Sequence, residues 1–230
     1  IYQLAQALTK VAAFRFPVAL NAVSRPFFAE MAKVRTGEQA SMMRRLADEP
    51  GDSAAAAWLS RDPQLASIMR TSCVATRLDA GHAYNALPQM AKANVNCRVV
   101  PSSSVEEVVA TLARVIGDTA VRITPTVPIT ERFGAAPSAI DAEVLAAVTA
   151  LTRATWGDIP VVPSMSTGAT DGRFLRAAGI ATYGVSGLFS VPGETNAHGR
   201  DEKLRVKSFY EGLAFLDQLV RRLAGGTTRS

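Results

Sequence analysis

The apolar positions of residues 1–14 repeat with the period of an amphipathic helix. They fall on one helical face, at Ile1, Leu4, Ala5, Leu8, Val11 and Ala12. Residues 18–69 predict several short helices, because their apolar runs are interrupted by proline and glycine. We interpret this stretch as an irregular helical insertion. Since the sequence opens inside a helical pattern and without Met, we expect that an upstream part of the protein is missing.

Alternating and β-branched residues over 71–79 and 91–100 predict one antiparallel pair of strands. A helix is predicted to follow, because Ser104 and Glu107 have the spacing of a capping box. A further strand is predicted over 120–128. With one missing strand placed in front, the order becomes β-α-β-β-α-β, the ferredoxin-like split unit.

Helix and strand patterns alternate in the last third of the chain. Amphipathic periods predict helices over 138–157, 170–179 and 207–225. Between them, residues 159–167 read as strand-like and residues 180–188 as a buried strand. This alternation indicates the C-terminal part of an α/β layer, so the predicted fold class is α+β.

The composition and charge of the chain restrict which classes of fold and partner are expected. The chain has 230 residues, of which 48% are hydrophobic and 20% charged, so a packed core is expected. The formal net charge is +5, but lysine and arginine are scattered. Nucleic acid is therefore not an expected partner, since phosphate binding needs clustered positive charge. No apolar run is long enough to predict a membrane span.

The two cysteines lie on the two strands of the predicted hairpin. If that hairpin is symmetric about Asn85, Cys73 faces Cys97 at a distance that a disulfide can bridge. The alternative is a pair of small buried thiols. A disulfide would indicate a periplasmic or secreted protein, and free thiols a cytoplasmic one. The cysteine spacing does not fit a zinc site.

Three stretches carry the candidate chemistry: GHAYNALPQMAKANVNCRVVP over 81–101, MSTGATDGRFLRAAG over 165–179, and NAHGRDEKLRV over 196–206. In this order they resemble the zinc-dependent aminoacylase and carboxypeptidase family, the M20-type metallopeptidases. That family includes glutamate carboxypeptidase, succinyl-diaminopimelate desuccinylase, aminoacylase and the carnosinase-like dipeptidases. The resemblance covers most of the chain outside 18–69.

The resemblance implies an architecture and a reaction. Residues 1–132 would form a ferredoxin-like lid and dimerisation domain whose first strand is missing. Residues 133–230 would form the C-terminal part of an α/β zinc-exopeptidase catalytic domain. The full-length protein would bind two zinc ions, form a homodimer through the lid, and hydrolyse the amide bond of a small peptide or N-acyl amino acid.

The resemblance also implies roles for single residues. His198 matches a zinc ligand, although a histidine in a surface turn is the plainer interpretation. Asn85 matches a substrate-binding asparagine, and the Gly168 backbone, together with Thr167, matches a carboxylate-binding segment. Arg98 could pair with a substrate carboxylate, or be a solvated strand residue. The other histidine, His82, matches no family position and is expected to be structural or exposed.

Several family residues have no counterpart in this sequence. The remaining zinc ligands and the glutamate general base are expected upstream, so no catalytic residue is assigned and the 230 residues alone are predicted to be inactive. The alternative is a non-catalytic ferredoxin-like dimerisation or ligand-binding module. A serine hydrolase using Ser186 is disfavoured, because Leu188 replaces the second glycine of the nucleophile elbow.

Overall fold

The computed structural model describes residues 1–126, 137–191 and 194–225. Within these ranges the helices are α1 (Tyr2–Ala13), α2 (Ser24–Val34), α3 (Gly37–Asp48), α4 (Ser53–Leu59), α5 (Pro63–Met69), α6 (Val105–Ile116), α7 (Ala142–Trp156), α8 (Gly172–Ala177) and α9 (Val206–Leu223). The strands are β1 (Ser72–Ala80) and β2 (Ala91–Arg98), which pair antiparallel.

These elements divide into two compact units. The first contains Ile1–Pro137 and Pro163–Ile180, and the second contains Ser138–Val162 and Ala181–Ser230. The division into a lid over 1–132 and a catalytic part over 133–230 stays a prediction. Within the described ranges, no helix is both long enough and apolar enough to cross a membrane.

Helices α1 and α6 cover one face of the β1–β2 hairpin. Ala7 and Val11 of α1 are buried with Val108, Leu112 and Ile116 of α6. Burial alternates along β2 with the two-residue period of a strand that has one covered face. The capping box is present, because Ser104 Oγ accepts from the Glu107 amide at 3.1 Å and Glu107 Oε2 accepts from the Ser104 amide at 3.0 Å.

The hairpin register changes once along its length. Cys73 is paired with Cys97, and the two are joined by a disulfide with a Cα–Cα distance of 4.1 Å. The ladder is interrupted at Thr76, after which Arg77 pairs with Asn94. This irregularity is a β-bulge, in which one strand carries an extra residue. The symmetric register predicted about Asn85 therefore holds only on the cysteine side of the bulge.

The predicted insertion over 18–69 is helical and has a core of its own, built by α2 to α5. Its largest fully buried side chains are Phe28, Met43, Leu46, Leu59 and Met69. The Asp52 carboxylate accepts from the Ala55 amide and caps α4 at 2.9 Å. The Asp62 carboxylate caps α5 by accepting from the Gln64 amide at 2.8 Å. Side-chain caps thus set the starts of α4 and α5.

The second unit is built on α7 and α9. Asp141 caps α7 by accepting from the Glu143 and Val144 amides. The buried side chains of the unit are Ala147, Val148, Leu151, Phe215 and Leu219. The Trp156 ring packs edge-on against Phe189, with centroids 4.8 Å apart. Aromatic packing therefore joins the end of α7 to the segment before α9.

Three predicted strands do not form in the described residues. Residues 120–126, 159–167 and 180–188 are irregular, and residues 127–128 of the first segment lie outside the described ranges. The segment 180–188 is mostly exposed, with Ile180 at 54% and Leu188 at 43%, although its pattern predicts a buried strand. A strand needs a neighbour for its backbone hydrogen bonds. Because the described sheet has two strands, the ferredoxin-like arrangement stays a prediction.

Candidate functional site

His198 lies in a closed loop that precedes α9. The Lys203 amide donates to the Thr195 carbonyl at 3.0 Å and closes the loop at its base. Inside the loop, the Gly199 amide donates to the Asn196 carbonyl at 2.7 Å. The backbone of this short segment is therefore fixed by its own hydrogen bonds.

The loop contains a cluster of left-handed residues. Asn196, His198 and Asp201 have φ angles of 48°, 63° and 57°, and in the described part of the chain no other non-glycine residue has a positive φ. Asn, Asp and His tolerate this region better than most residues, but at an energetic cost. Such backbone strain is concentrated at functional sites. The sequence signal for such a turn is an Asn, a His and an Asp within six positions.

An ion pair holds the two ends of the loop together. Arg205 donates through Nε at 3.0 Å and through Nη2 at 2.6 Å to the Glu194 carboxylate. Both side chains are about half exposed, so the pair stabilises the loop modestly. Sequence reasoning did not find this pair, because eleven positions separate the partners.

The His198 side chain is exposed, and no hydrogen bond joins it to the residues that the structure describes. Within the described ranges, no group of three His, Cys, Asp or Glu side chains could hold a metal ion. A zinc site needs three or four protein ligands, and a single histidine binds the ion weakly. The residues present therefore do not fit a zinc ion by themselves, although the accessible imidazole could serve as one ligand.

Asn85 lies at the tip of the hairpin, between the end of β1 and the start of β2. Its side chain is exposed, as are those of Tyr84 and Leu87 beside it. The amide therefore projects into solvent, where it could donate to a ligand oxygen. His82, in the same loop, is also exposed. Arg98 is exposed at the far end of β2, where it pairs with Ser72.

The Gly168 segment precedes α8. The Gly168 amide donates to Ser166 Oγ at 3.3 Å, so this backbone donor already has a partner. Thr170 Oγ1 accepts from the Gly172 amide at 3.1 Å, whereas Asp171 makes no capping bond. Helix α8 has only six residues, too few to build a strong dipole. Thr167 is exposed.

The predicted site residues are divided between the two units. Asn85, Arg98, Thr167 and Gly168 belong to the first unit, and His198 belongs to the second. Their assembly into one site stays a prediction, and so does each of their roles.

The family of this chain is shown by its similarity to known proteins. The model of peptidase family M20/M25/M40 matches residues 24–222. Human N-fatty-acyl-amino acid synthase/hydrolase PM20D1 is 25% identical, over 71% of this chain and 33% of its own length. A probable carboxypeptidase S-like 2 of Dictyostelium discoideum is 27% identical, over 71% of this chain and 31% of its own. Aminoacylase-1B of Rattus norvegicus is 28% identical, over 72% of this chain and 40% of its own.

The fold, helices with a small sheet, resembles that of the M20 family metallo-carboxypeptidase Sso-CP2 from Sulfolobus solfataricus. The TM-score is 0.57 at 14% identity, over 96% of this chain and 51% of that one. The chain spans about a third of the length of the PM20D1 and carboxypeptidase S-like relatives. The family match covers most of the sequence, including the segments that contain Asn85, Gly168 and His198. The chain therefore belongs to peptidase family M20/M25/M40.

Proposed function

We propose that this chain takes part in the metal-dependent hydrolysis of an amide bond in a small peptide or an N-acyl amino acid. The observation that carries the proposal is the family match over residues 24–222. The relatives are named as an N-fatty-acyl-amino acid synthase/hydrolase, a probable carboxypeptidase and an aminoacylase. All three names describe making or breaking an amide bond to an amino acid, which is the chemistry proposed here.

His198 is the proposed metal ligand, and zinc is the proposed metal, with two ions per full-length chain. Its exposed imidazole and its left-handed backbone in a hydrogen-bonded loop support this role. Zinc would act as a Lewis acid towards the substrate. Because the described residues do not complete a metal site, the other ligands and the general base are proposed to come from sequence outside these 230 residues. The chain alone is then inactive.

Asn85, Arg98, Thr167 and Gly168 are the proposed substrate-binding residues. The exposed Asn85 amide can donate to a carbonyl or carboxylate oxygen without adding charge. The exposed Arg98 guanidinium can form a bidentate pair with a carboxylate. The Gly168 amide would have to exchange its bond to Ser166 Oγ for a substrate oxygen.

The lid, the oligomeric state and the location belong to the same proposal. A ferredoxin-like lid over 1–132 would use the hairpin and the α1–α6 layer, and would form a homodimer. The Cys73–Cys97 disulfide favours an oxidising compartment, the periplasm or the exterior. The second candidate function is a non-catalytic dimerisation or ligand-binding module. It is favoured by one observation, that the described residues hold no metal-binding cluster.

Metal content and hydrolysis test the proposal directly. We would measure zinc by elemental analysis in the 230-residue chain and in the full-length gene product, and assay both on dipeptides and N-acyl amino acids. The proposal expects about two zinc ions per full-length chain, and loss of zinc and activity in His198→Ala. His82→Ala is the matched control, because it removes the other exposed histidine. If the full-length protein binds no metal and His198→Ala behaves like His82→Ala, the binding-module function replaces the enzyme.

A further inference from the structure

The segment that contains Thr167 and Gly168 is joined to the helical insertion by a side-chain contact. Residues Pro163–Ile180 belong to the same compact unit as the insertion. The Asn21 side chain, which lies just before α2, donates through Nδ2 to Met165 Sδ at 3.2 Å. The two residues are 144 positions apart. The contact therefore connects the insertion to a segment that is far from it in the sequence.

Asn21 is held in one orientation by the backbone around it. Its Oδ1 accepts from the Val23 amide at 2.8 Å and from the Ser24 amide at 2.9 Å. Its own backbone amide donates to Ser24 Oγ at 2.9 Å, and Ser24 is fully buried. Because Oδ1 faces these two donors, the NH2 group of the same side chain points away from them. The donor that reaches Met165 is therefore set by the turn that starts α2.

Residues 166–171 have little other support. All six are exposed, whereas Met165, directly before them, is half-buried. Among the described residues, the remaining hydrogen bonds of this segment are local, such as that from the Gly168 amide to Ser166 Oγ, or run to α8. A segment with few buried contacts opens easily and depends on the contacts it has. The Asn21 contact therefore ties the position of Gly168 to the insertion.

We propose that Asn21 is a positioning residue for the binding of the substrate's carboxylate. The inference rests on the proposed function, in which the Gly168 backbone and Thr167 bind that carboxylate. Asn21 acts through Met165 and does not itself contact the substrate. By holding Met165, it places the Gly168 amide where a substrate oxygen can replace Ser166 Oγ. The helical insertion would then help to set the affinity for substrates that have a free carboxylate.

Two substitutions remove the contact in different ways. Asn21→Asp keeps an oxygen that accepts from the Val23 and Ser24 amides, but it removes the N–H donor. The fold should be retained, because a carboxylate is favourable at the start of a helix. Met165→Leu keeps the side-chain volume and removes the sulfur acceptor. Asp62→Asn is the matched control, since it exchanges a carboxylate for an amide at the start of α5, in the same insertion.

The test is steady-state hydrolysis by the full-length, metal-loaded protein. The substrate is the dipeptide or N-acyl amino acid that wild type hydrolyses fastest, and its primary amide is used as a competitive inhibitor. Asn21→Asp and Met165→Leu should each raise KM for the free carboxylate by about threefold with kcat unchanged, because both weaken binding away from the reacting bond. The inhibition constant of the amide should not change. The double variant should resemble the single variants, since all three lose the same contact, and Asp62→Asn should match wild type.

A second readout does not depend on turnover. In the NMR spectrum of the 230-residue chain, the Gly168 amide resonance should shift in Asn21→Asp and stay in place in Asp62→Asn. The inference is overturned if that resonance does not move in Asn21→Asp, or if KM for the free carboxylate does not change. It is also overturned if the free carboxylate and the amide are affected equally. These three results leave wild-type hydrolysis intact, whereas a wild-type protein that hydrolyses none of the compounds overturns the proposed function and this inference with it.

Discussion

Gly187 lies directly against Gly212 of α9. A Cβ built on Gly187 would stand 3.2 Å from the Gly212 Cα and 2.8 Å from Cδ1 of Phe215. A Cβ on Gly212 would stand 2.6 Å from Cδ2 of Leu188 and 3.2 Å from the carbonyl oxygens of Ser186 and Gly187. The two glycines therefore permit the backbone of residues 186–188 to pack closely onto the helix, and a larger residue at either position would force neighbouring atoms to shift.

Gly212→Ala is predicted to destabilise the chain by about 1 kcal/mol. The added methyl group displaces the Leu188 side chain and crowds two backbone carbonyl oxygens, and this cost exceeds the gain of about 1 kcal/mol that alanine brings to a helix interior. Urea denaturation measures this difference. Gly184→Ala is the matched control from the same segment, since its added Cβ would meet no atom within 4 Å. Equal free energies of unfolding for the two variants would contradict the close approach at Gly212.

Reduction of the Cys73–Cys97 disulfide is predicted to lower the free energy of unfolding by about 3 kcal/mol. The bond closes a loop with a sequence separation of 24 and therefore restricts the unfolded chain. Guanidinium denaturation with and without dithiothreitol measures the effect. The double variant Cys73→Ser, Cys97→Ser should show no response to the reductant. A wild-type curve that is equally insensitive would count against the bond.

Glu211 is predicted to contribute to the loss of folding stability at acidic pH. A hydrogen bond from the Lys207 ammonium lowers the pKa of Glu211, and the Trp156 indole N–H at 3.4 Å adds to the effect. A lowered carboxyl pKa gives stability that is present above the ordinary value of 4.5 and is lost as the pH falls through the folded-state value.

Glu211→Gln should therefore lose less stability than wild type between about pH 6 and about pH 3. Denaturant unfolding at the two pH values measures the difference. Glu106→Gln is the control, because Glu106 forms no ion pair with the described residues. If the two variants and wild type lose the same free energy of unfolding on acidification, the Lys207 contact does not contribute to stability.

Because the backbone at His198 is left-handed, we predict that glycine is tolerated better than alanine at this position. His198→Gly should be more stable than His198→Ala by about 1 kcal/mol, because glycine adopts a positive φ without the Cβ penalty. At His82, whose φ is not positive, glycine should be no better than alanine. Thermal unfolding of the four variants gives the comparison. The same ranking at both histidines would remove the argument for strain at His198.

Elements whose signals are local could be predicted from the sequence. The Ser104 capping box and the apolar period of α1 each depend on residues within a few positions, and both form as predicted. The strand predicted over 180–188 depends on a neighbouring strand, which the described residues do not supply. An apolar run shows that a segment prefers a covered surface, but it does not identify what covers it.

In the candidate site, too, local features could be predicted from the sequence and long-range contacts could not. The motif around His198 could be found in the sequence, but its left-handed backbone and the Glu194–Arg205 pair required coordinates. The pairing of Cys73 with Cys97 follows from counting positions in the hairpin. The bulge at Thr76, which shifts the register towards the tip, does not follow from that count. Contacts made over a long sequence distance are the part that pattern reasoning leaves open.

The Ala19 amide, where the chain enters the helical insertion, donates to the carbonyl of Met69, where the chain leaves it, at 2.8 Å. This closeness has a consequence for how such a chain can evolve. The insertion starts and ends at one place and has a core of its own. If it were removed or replaced, the two chain ends left behind would already lie next to each other. Exchanges of this kind succeed at positions where the two chain ends are adjacent. Recombination could therefore vary the length of this segment among descendants of one gene while the disulfide-bonded hairpin is inherited unchanged.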